Sequence, residues 1–241
     1  MANEERPAKR TKLDFNDHIR VLVGPSKKEF VVHKDIITRR SPFFKAATLA
    51  RWNGTRPIEL PDDKPKVFAE YLHCLYVGSY SMDSTRSRTA RKETVLIQAI
   101  DLYVLADKLG DLETANTVID SIPGWSDELS WQPTSRTTAH AYAQTSEGSP
   151  LRSLLVDFSI QEGIAADFKG APTSGPSKFY MDVSHEYLRR VSRKITSGKS
   201  FAEVFRGLVS SNAACTYHQH NDVYPRCVPD DSDSSSDSDS D

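Results

Sequence analysis

Residues 29–47 read EFVVHKDIITRRSPFFKAA, and the fold turns on them. His33, Asp35 and Ser41 fall within nine positions, and these are the residue types of a nucleophilic relay. A Ser-His-Asp hydrolase needs its serine within hydrogen-bond reach of a base, with donors for an oxyanion. The chain has no G-x-S-x-G turn to present such a serine. Each residue has a simpler place. Ser41 precedes Pro42, the pattern of a helix N-cap with proline in the first turn. Asp35 opens a short helix, where a carboxylate faces free N–H groups. His33 ends a strand. The stretch therefore reads as a strand running into a helical hairpin, with Phe43, Phe44 and Ala47 forming the apolar face of the second helix.

Upstream, HIRVLVG alternates Ile19, Val21 and Val23 with Arg20 and Leu22. Gly24-Pro25 stops that strand and KKEFVVH returns it, which predicts a hairpin. Ile36 and Ile37 are the inward residues of KDIITRR. Downstream, RPIELP is a short strand between prolines, and DDKPKVFAEYLHCLYVG restarts a helix with Asp63 near its cap. Phe68, Leu72 and Leu75 share one face of it, broadened by Val67, Tyr71 and Cys74. Gly78 is its natural stop. His73 reads as a flank or a satisfied core histidine, Cys74 as a small core residue, and Trp52 as a cover over a helix end.

Residues 79–94, SYSMDSTRSRTARKET, read as a polar loop. VLIQAIDLYVLADKLG then predicts a central helix, apolar nearly all round, with Gly110 as its end and Asp111 as a cap for the next. LETANTVIDSI sets Leu112, Ala115, Val118, Ile119 and Ile122 on one side, and Pro123-Gly124 closes it. Ser149-Pro150 repeats the cap-plus-proline start. KFYMDVSHEYLRRVSRKI spaces Phe179, Val183, Tyr187, Val191 and Ile195 every four residues. The expected organisation is a charged tail over 1–15, a compact α+β domain over 16–122, a helical extension over 123–212, a Cys/His segment over 213–229 and an acidic tail over 230–241.

Composition bounds the function. The chain has 241 residues and 38% hydrophobic content, enough for one or two modest domains. Its longest apolar stretch is interrupted by Gln98, Asp101 and Asp107, too polar to span a bilayer. MANEERPAKRTKLD carries no apolar secretory segment, and three cysteines suit a reducing compartment, so the expectation is an intracellular protein. The final DDSDSSSDSDSD holds six Asp and six Ser. Taking those carboxylates from a net charge of −2 leaves the rest at +4, too weak by itself to argue for nucleic acid.

The run VLVGPSKKEFVVHKDIITRRSPFFKAATLARWNG, then IELPDD, then VFAEYLHCLYVGSY, resembles the BTB/POZ domain, in the form common in filamentous fungi. Hairpin, His-Lys, Ser-Pro-Phe-Phe, short strand and a helix ending in aromatic-x-Gly follow in that family's order. LYVLADKLGDLETANTVIDSI is similar to its closing helical hairpin, and SEGSPLRSLLVDF and CTYHQH are similar to the C-terminal extension of the same fungal group. The resemblance implies an α+β BTB/POZ fold followed by a mainly helical extension. It implies a non-enzymatic protein-interaction module that pairs with a second copy of itself, with core and interface carried by His33, Asp35, Ser41, Pro42, Phe43 and Phe44. It also places a charged pocket near the dimer interface at Asp17 and Lys34, two residues that are otherwise ordinary surface charges.

Three roles remain open on this reading. One is a nuclear regulatory scaffold that recruits partners such as transcription regulators. Another is a substrate adaptor on a cullin scaffold, although SYSMDS after Gly78 lacks a clean adaptor signature, and no kelch or MATH partner domain is visible. The third is a zinc-dependent nucleic-acid binder. Lys9, Arg10 and Lys12 in PAKRTKLD resemble a nuclear localisation signal read by an import receptor. The expected location is therefore the nucleus, with cytoplasm as a second location. Ser234, Ser236 and Ser238 each have Asp three residues on, which suits an acidophilic kinase; each phosphate would add about 1.5–2 negative charges. Cys215, His218, His220 and Cys227 offer four zinc-type ligands, but not at the spacing of a C2H2 finger. No other cofactor and no membrane partner is expected, and nucleic acid is the least favoured partner.

Overall fold

The computed structural model describes residues 14, 16–49, 56–80, 89–129, 133–161, 176–197, 217–221 and 224. Their contacts divide the chain into two compact units. The first takes the described residues of Met1–Ser79 together with Leu105–Asp111. The second takes those of Tyr80–Val104 and Leu112–Asp241. No helix among the described residues is long and apolar enough to cross a membrane.

In the first unit, β1 (His18–Val23) pairs antiparallel with β2 (Lys28–His33), Val21 opposite Phe30. The predicted alternation holds: Val21, Val23 and Val32 have no exposed surface. Gly24 turns the hairpin at φ +75°, and a Cβ there would lie 3.1 Å from the Pro65 ring. Both the dihedral and the space require glycine. β3 (Ile58–Leu60) runs parallel to β1, giving a sheet ordered β2-β1-β3. Between β2 and β3 lie α1 (Lys34–Arg40) and α2 (Pro42–Thr48), and α3 (Pro65–Val77) follows β3.

Ser41 caps α2 as predicted, accepting the Phe44 N–H at 3.2 Å. The α3 face is Phe68, Tyr71, Cys74 and Leu75, with Gly78 left-handed at its end. Phe68 is the aromatic hub, its ring centroid 5.0 Å from Phe30, 6.3 Å from Phe44 and 5.8 Å from Tyr71. Burial pushes the Cys74 thiol up to about 11, the behaviour of a core thiol, while His73 is exposed on the flank.

Leu105–Asp111, the end of α4 (Thr89–Leu109) and the two residues after it, completes this unit. Ser41 Oγ donates to the Leu109 carbonyl at 2.6 Å, so one buried hydroxyl caps α2 and satisfies an end carbonyl of α4. Gly110 is left-handed, and a Cβ on it would sit 3.1 Å from Pro42. Asp111, the residue directly before α5, has a buried carboxylate that takes Arg40 Nε at 3.1 Å. Burial pushes the neighbouring Tyr71 phenol far up, and the Asp111 carboxylate adds to the effect. Asp63 lies beside the cap of α3, as expected: Lys64 holds the cap position, and Asp63 pairs with Lys108 at 2.7 Å.

The second unit contains the body of α4, with α5 (Leu112–Leu129), α6 (Ser135–Gln144), α7 (Pro150–Gln161) and α8 (Ser177–Ser197). Two expected boundaries move. The polar loop of 79–94 is helix from Thr89, because Ala, Arg, Lys and Glu are good helix formers and extend the turn that Val95 and Leu96 bury. α5 passes through Pro123 to Leu129. Proline there forfeits the bond to the Ile119 carbonyl, at a cost of about 3 kcal/mol. The buried row Ala115, Val118, Ile119 and Ile122 keeps the helix seated. In α8, Phe179 and Val183 are buried but Tyr187 is 43% exposed, against expectation. Each four-residue step overshoots a full turn by about 40°, so the third member of the row has left the face.

Candidate interaction site

The opening cluster is dispersed among structural duties. Ser41 has no exposed surface, and its hydroxyl is committed to Leu109 and Phe44. Asp35 Oδ2 accepts the Asp14 N–H at 2.8 Å, which ties the segment before β1 to the first turn of α1. His33 Nδ1 lies 2.8 Å from the Tyr76 hydroxyl, which also accepts the His33 N–H at 3.1 Å. That hydroxyl therefore joins the end of β2 to the end of α3. These bonds make the three residues parts of the scaffold rather than a relay.

Asp17 and Lys34 do meet. Lys34 Nζ donates to Asp17 Oδ2 at 2.8 Å, and the Lys34 N–H donates to the Asp17 carbonyl at 3.0 Å. The entry to β1 is thus clamped to the start of α1 by both backbone and side chain. The hydrogen bond to Asp17, and then the charge of that carboxylate, hold the Lys34 amine above its ordinary range. Both side chains remain well exposed, 38% for Lys34 and 47% for Asp17, so the pair contributes little to stability and stays available to a partner. Beside it, the His18 and His33 rings approach to 4.7 Å.

Phe43 departs from the sequence reading. It was expected in the core with Phe44, yet Phe44 is fully buried and Phe43 is 37% exposed, its ring meeting Phe44 edge-on at 5.2 Å. Adjacent helical residues point about 100° apart, so one can fill the core while the other turns outward. Val31, Leu49, Tyr76 and Val77 are also exposed in the same unit, and periodicity gave no sign of them. A monomer gains nothing by wetting large apolar groups, whereas an interface gains by covering them.

Lys9, Arg10, Lys12, Trp52, Ser234, Ser236, Ser238, Cys215 and Cys227 lie outside the described residues. His218 and His220 are placed, in the second unit. His218 Nε2 is 2.7 Å from Asp120 Oδ1, and the His220 ring stacks on Tyr224. Among the described residues no group of three or more His, Cys, Asp or Glu is arranged to hold a metal ion.

Comparison with known proteins agrees with this architecture. Residues 12–108 match the family model of the BTB/POZ domain. No curated protein matches the chain. The matched region takes in the hairpin, the Ser-Pro-Phe-Phe helix pair, β3, α3 and nearly all of α4. Its small sheet and helices are those of the α+β BTB fold, and this part of the chain is similar to the BTB/POZ domain, a protein–protein interaction module.

Proposed function

We propose that the chain is a nuclear regulatory scaffold whose BTB/POZ domain pairs with a second copy and recruits further proteins. The observation that carries this reading is the set of large apolar side chains left in water in the first unit: Val31, Phe43, Leu49, Tyr76 and Val77. Phe43 is the most telling. The cap at Ser41 and the proline beside it fix the start of α2 so that one phenylalanine fills the core and its neighbour faces outward. The exposed Asp17–Lys34 pair adds a polar mark beside the hairpin, of the kind that sets register at an interface. The basic run at Lys9, Arg10 and Lys12 supports nuclear import.

Light scattering across a protein dilution series tests the pairing. A mass that falls from dimer to monomer on dilution is expected, and Phe43→Asp should favour monomer while leaving the far-UV circular dichroism unchanged. A monomer at every concentration sinks the pairing. Replacing Lys9, Arg10 and Lys12 by Ala should move a fluorescent fusion out of the nucleus; unchanged distribution removes the nuclear part. A stoichiometric cullin in the native complex would make the chain a degradation adaptor instead.

A further inference from the structure

The segment Tyr217–Asn221 is held in the second unit by a set of contacts that read a peptide. Asn116, in the second turn of α5, is 2% exposed. Its Oδ1 accepts the Gln219 N–H at 2.9 Å and its Nδ2 donates to the Gln219 carbonyl at 3.0 Å. One buried carboxamide thus binds both main-chain groups of a single residue, as a neighbouring strand would. One turn along α5, Asp120 Oδ1 lies 2.7 Å from His218 Nε2. The Tyr217 hydroxyl donates to Asp157 on α7.

Asp157 is itself fixed. Its other oxygen takes Arg190 of α8, whose Nε donates to Glu186 at 2.7 Å. Two helices, α5 and α7, therefore present prearranged polar groups to one short stretch, and α8 holds the Asp157 carboxylate in place. At the end of that stretch the Asn221 N–H donates to the Tyr224 carbonyl at 2.9 Å and the Tyr224 N–H donates to Asn221 Oδ1 at 2.7 Å.

A buried carboxamide whose two ends are both matched to main chain is costly to leave empty. We infer that α5 and α7, braced by α8, form a peptide-recognition site, that its resident ligand is this chain's own Tyr217–Asn221, and that it takes peptides of the pattern Tyr-His-x. The tyrosine is selected through its hydroxyl. The residue two positions on must keep its N–H, which excludes proline there. The hold is polar, so a separate peptide competes against a covalently attached one whose effective concentration is about millimolar. The site stays closed until the resident segment is weakened or displaced.

The test uses the full chain and a fluorescent peptide of residues 216–225. Fluorescence polarisation compares the natural chain with one carrying Tyr217→Phe and His218→Ala, which weakens the resident segment and leaves the seat intact. The variant should bind the peptide about ten-fold more tightly than the natural chain, and a peptide with Gln219→Pro should lose at least about ten-fold. Adding Asn116→Ala to the variant should abolish binding. Equal binding of the natural and proline peptides overturns the inference, as does a variant that binds neither. A second measurement needs no substitution. The Gln219 amide in the intact chain should exchange its hydrogen at least about ten-fold more slowly than in the free peptide, and exchange at the free-peptide rate overturns the inference equally.

Discussion

Ser41→Ala removes a single oxygen and two bonds. The first bond caps α2 through the Phe44 N–H at 3.2 Å, long for a cap, which places its loss toward the lower part of the usual range, about 0.5–1 kcal/mol. The second is the 2.6 Å bond to the Leu109 carbonyl, at a residue with no exposed surface, so water cannot replace it. An orphaned buried acceptor costs about 1–3 kcal/mol. Together the change should destabilise the first unit by about 1.5–4 kcal/mol. With a urea slope of about 2 kcal/mol per molar, the midpoint should fall by about 0.8–2 M. Hydrogen-exchange protection of the β1 and β2 ladder, followed through the urea series, reports this unit alone. The backbone at Ser41, φ −111° and ψ 111°, is extended and suits alanine, so no strain confuses the reading. A midpoint shift below about 0.2 M would refute the reasoning, because it would mean that neither bond contributes.

Phe44→Ala should cost about 3–5 kcal/mol, whereas Phe43→Ala, partly exposed, should cost about 1 kcal/mol or less; similar losses in the two melting curves would contradict the assigned orientation. Asp111→Ala should cost about 3–5 kcal/mol by stranding Arg40 against a buried site, and denaturation showing a neutral substitution would remove the ion pair from the fold. Burial works to raise the Glu186 carboxyl, but hydrogen bonds from Arg189 and Arg190 outweigh it and hold the group below its ordinary value of 4.5. Its contribution to the second unit is therefore fully present above pH 4.5 and is lost as pH falls through the lower folded-state value. Glu186→Gln should flatten that limb of an acid-unfolding curve, and an unchanged limb would assign it to other carboxylates.

What the sequence made readable is local. Alternation in β1 and β2, the Ser41-Pro42 start, the α3 face and the stop at Gly78 each need only neighbours within a turn or a strand, and all stand in the structure. What stayed hidden depends on distant partners. Ser41 looked like a cap and nothing more, since its second bond reaches 68 residues along the chain. Asp63 and Asp111 lie at helix starts as read, but the lysine and arginine that pair with them come from far in sequence. The parallel pairing of β3 with β1 has no local signature either. α6 escaped notice because SRTTAHAYAQ offers alanine and threonine rather than large apolar residues at helical spacing. For the site, Asp17 and Lys34 were named through a family likeness, and the structure joins them. Asn116 carries no signal at all in sequence, because a buried carboxamide is recognised only by what it faces.

The first unit is built from two separated pieces of chain, and this fixes an order of events during synthesis. Residues up to Ser79 are made before Leu105–Asp111 and leave the ribosome ahead of them. In that interval Ser41 has no Leu109 carbonyl, Arg40 no Asp111 and Asp63 no Lys108. The hairpin and α3 can gather early, but the unit cannot close until the last turn of α4 arrives. The nascent protein therefore passes through a window in which its core is half sealed. A pause in translation between these two pieces would lengthen exposure to chaperones and to premature pairing with other chains.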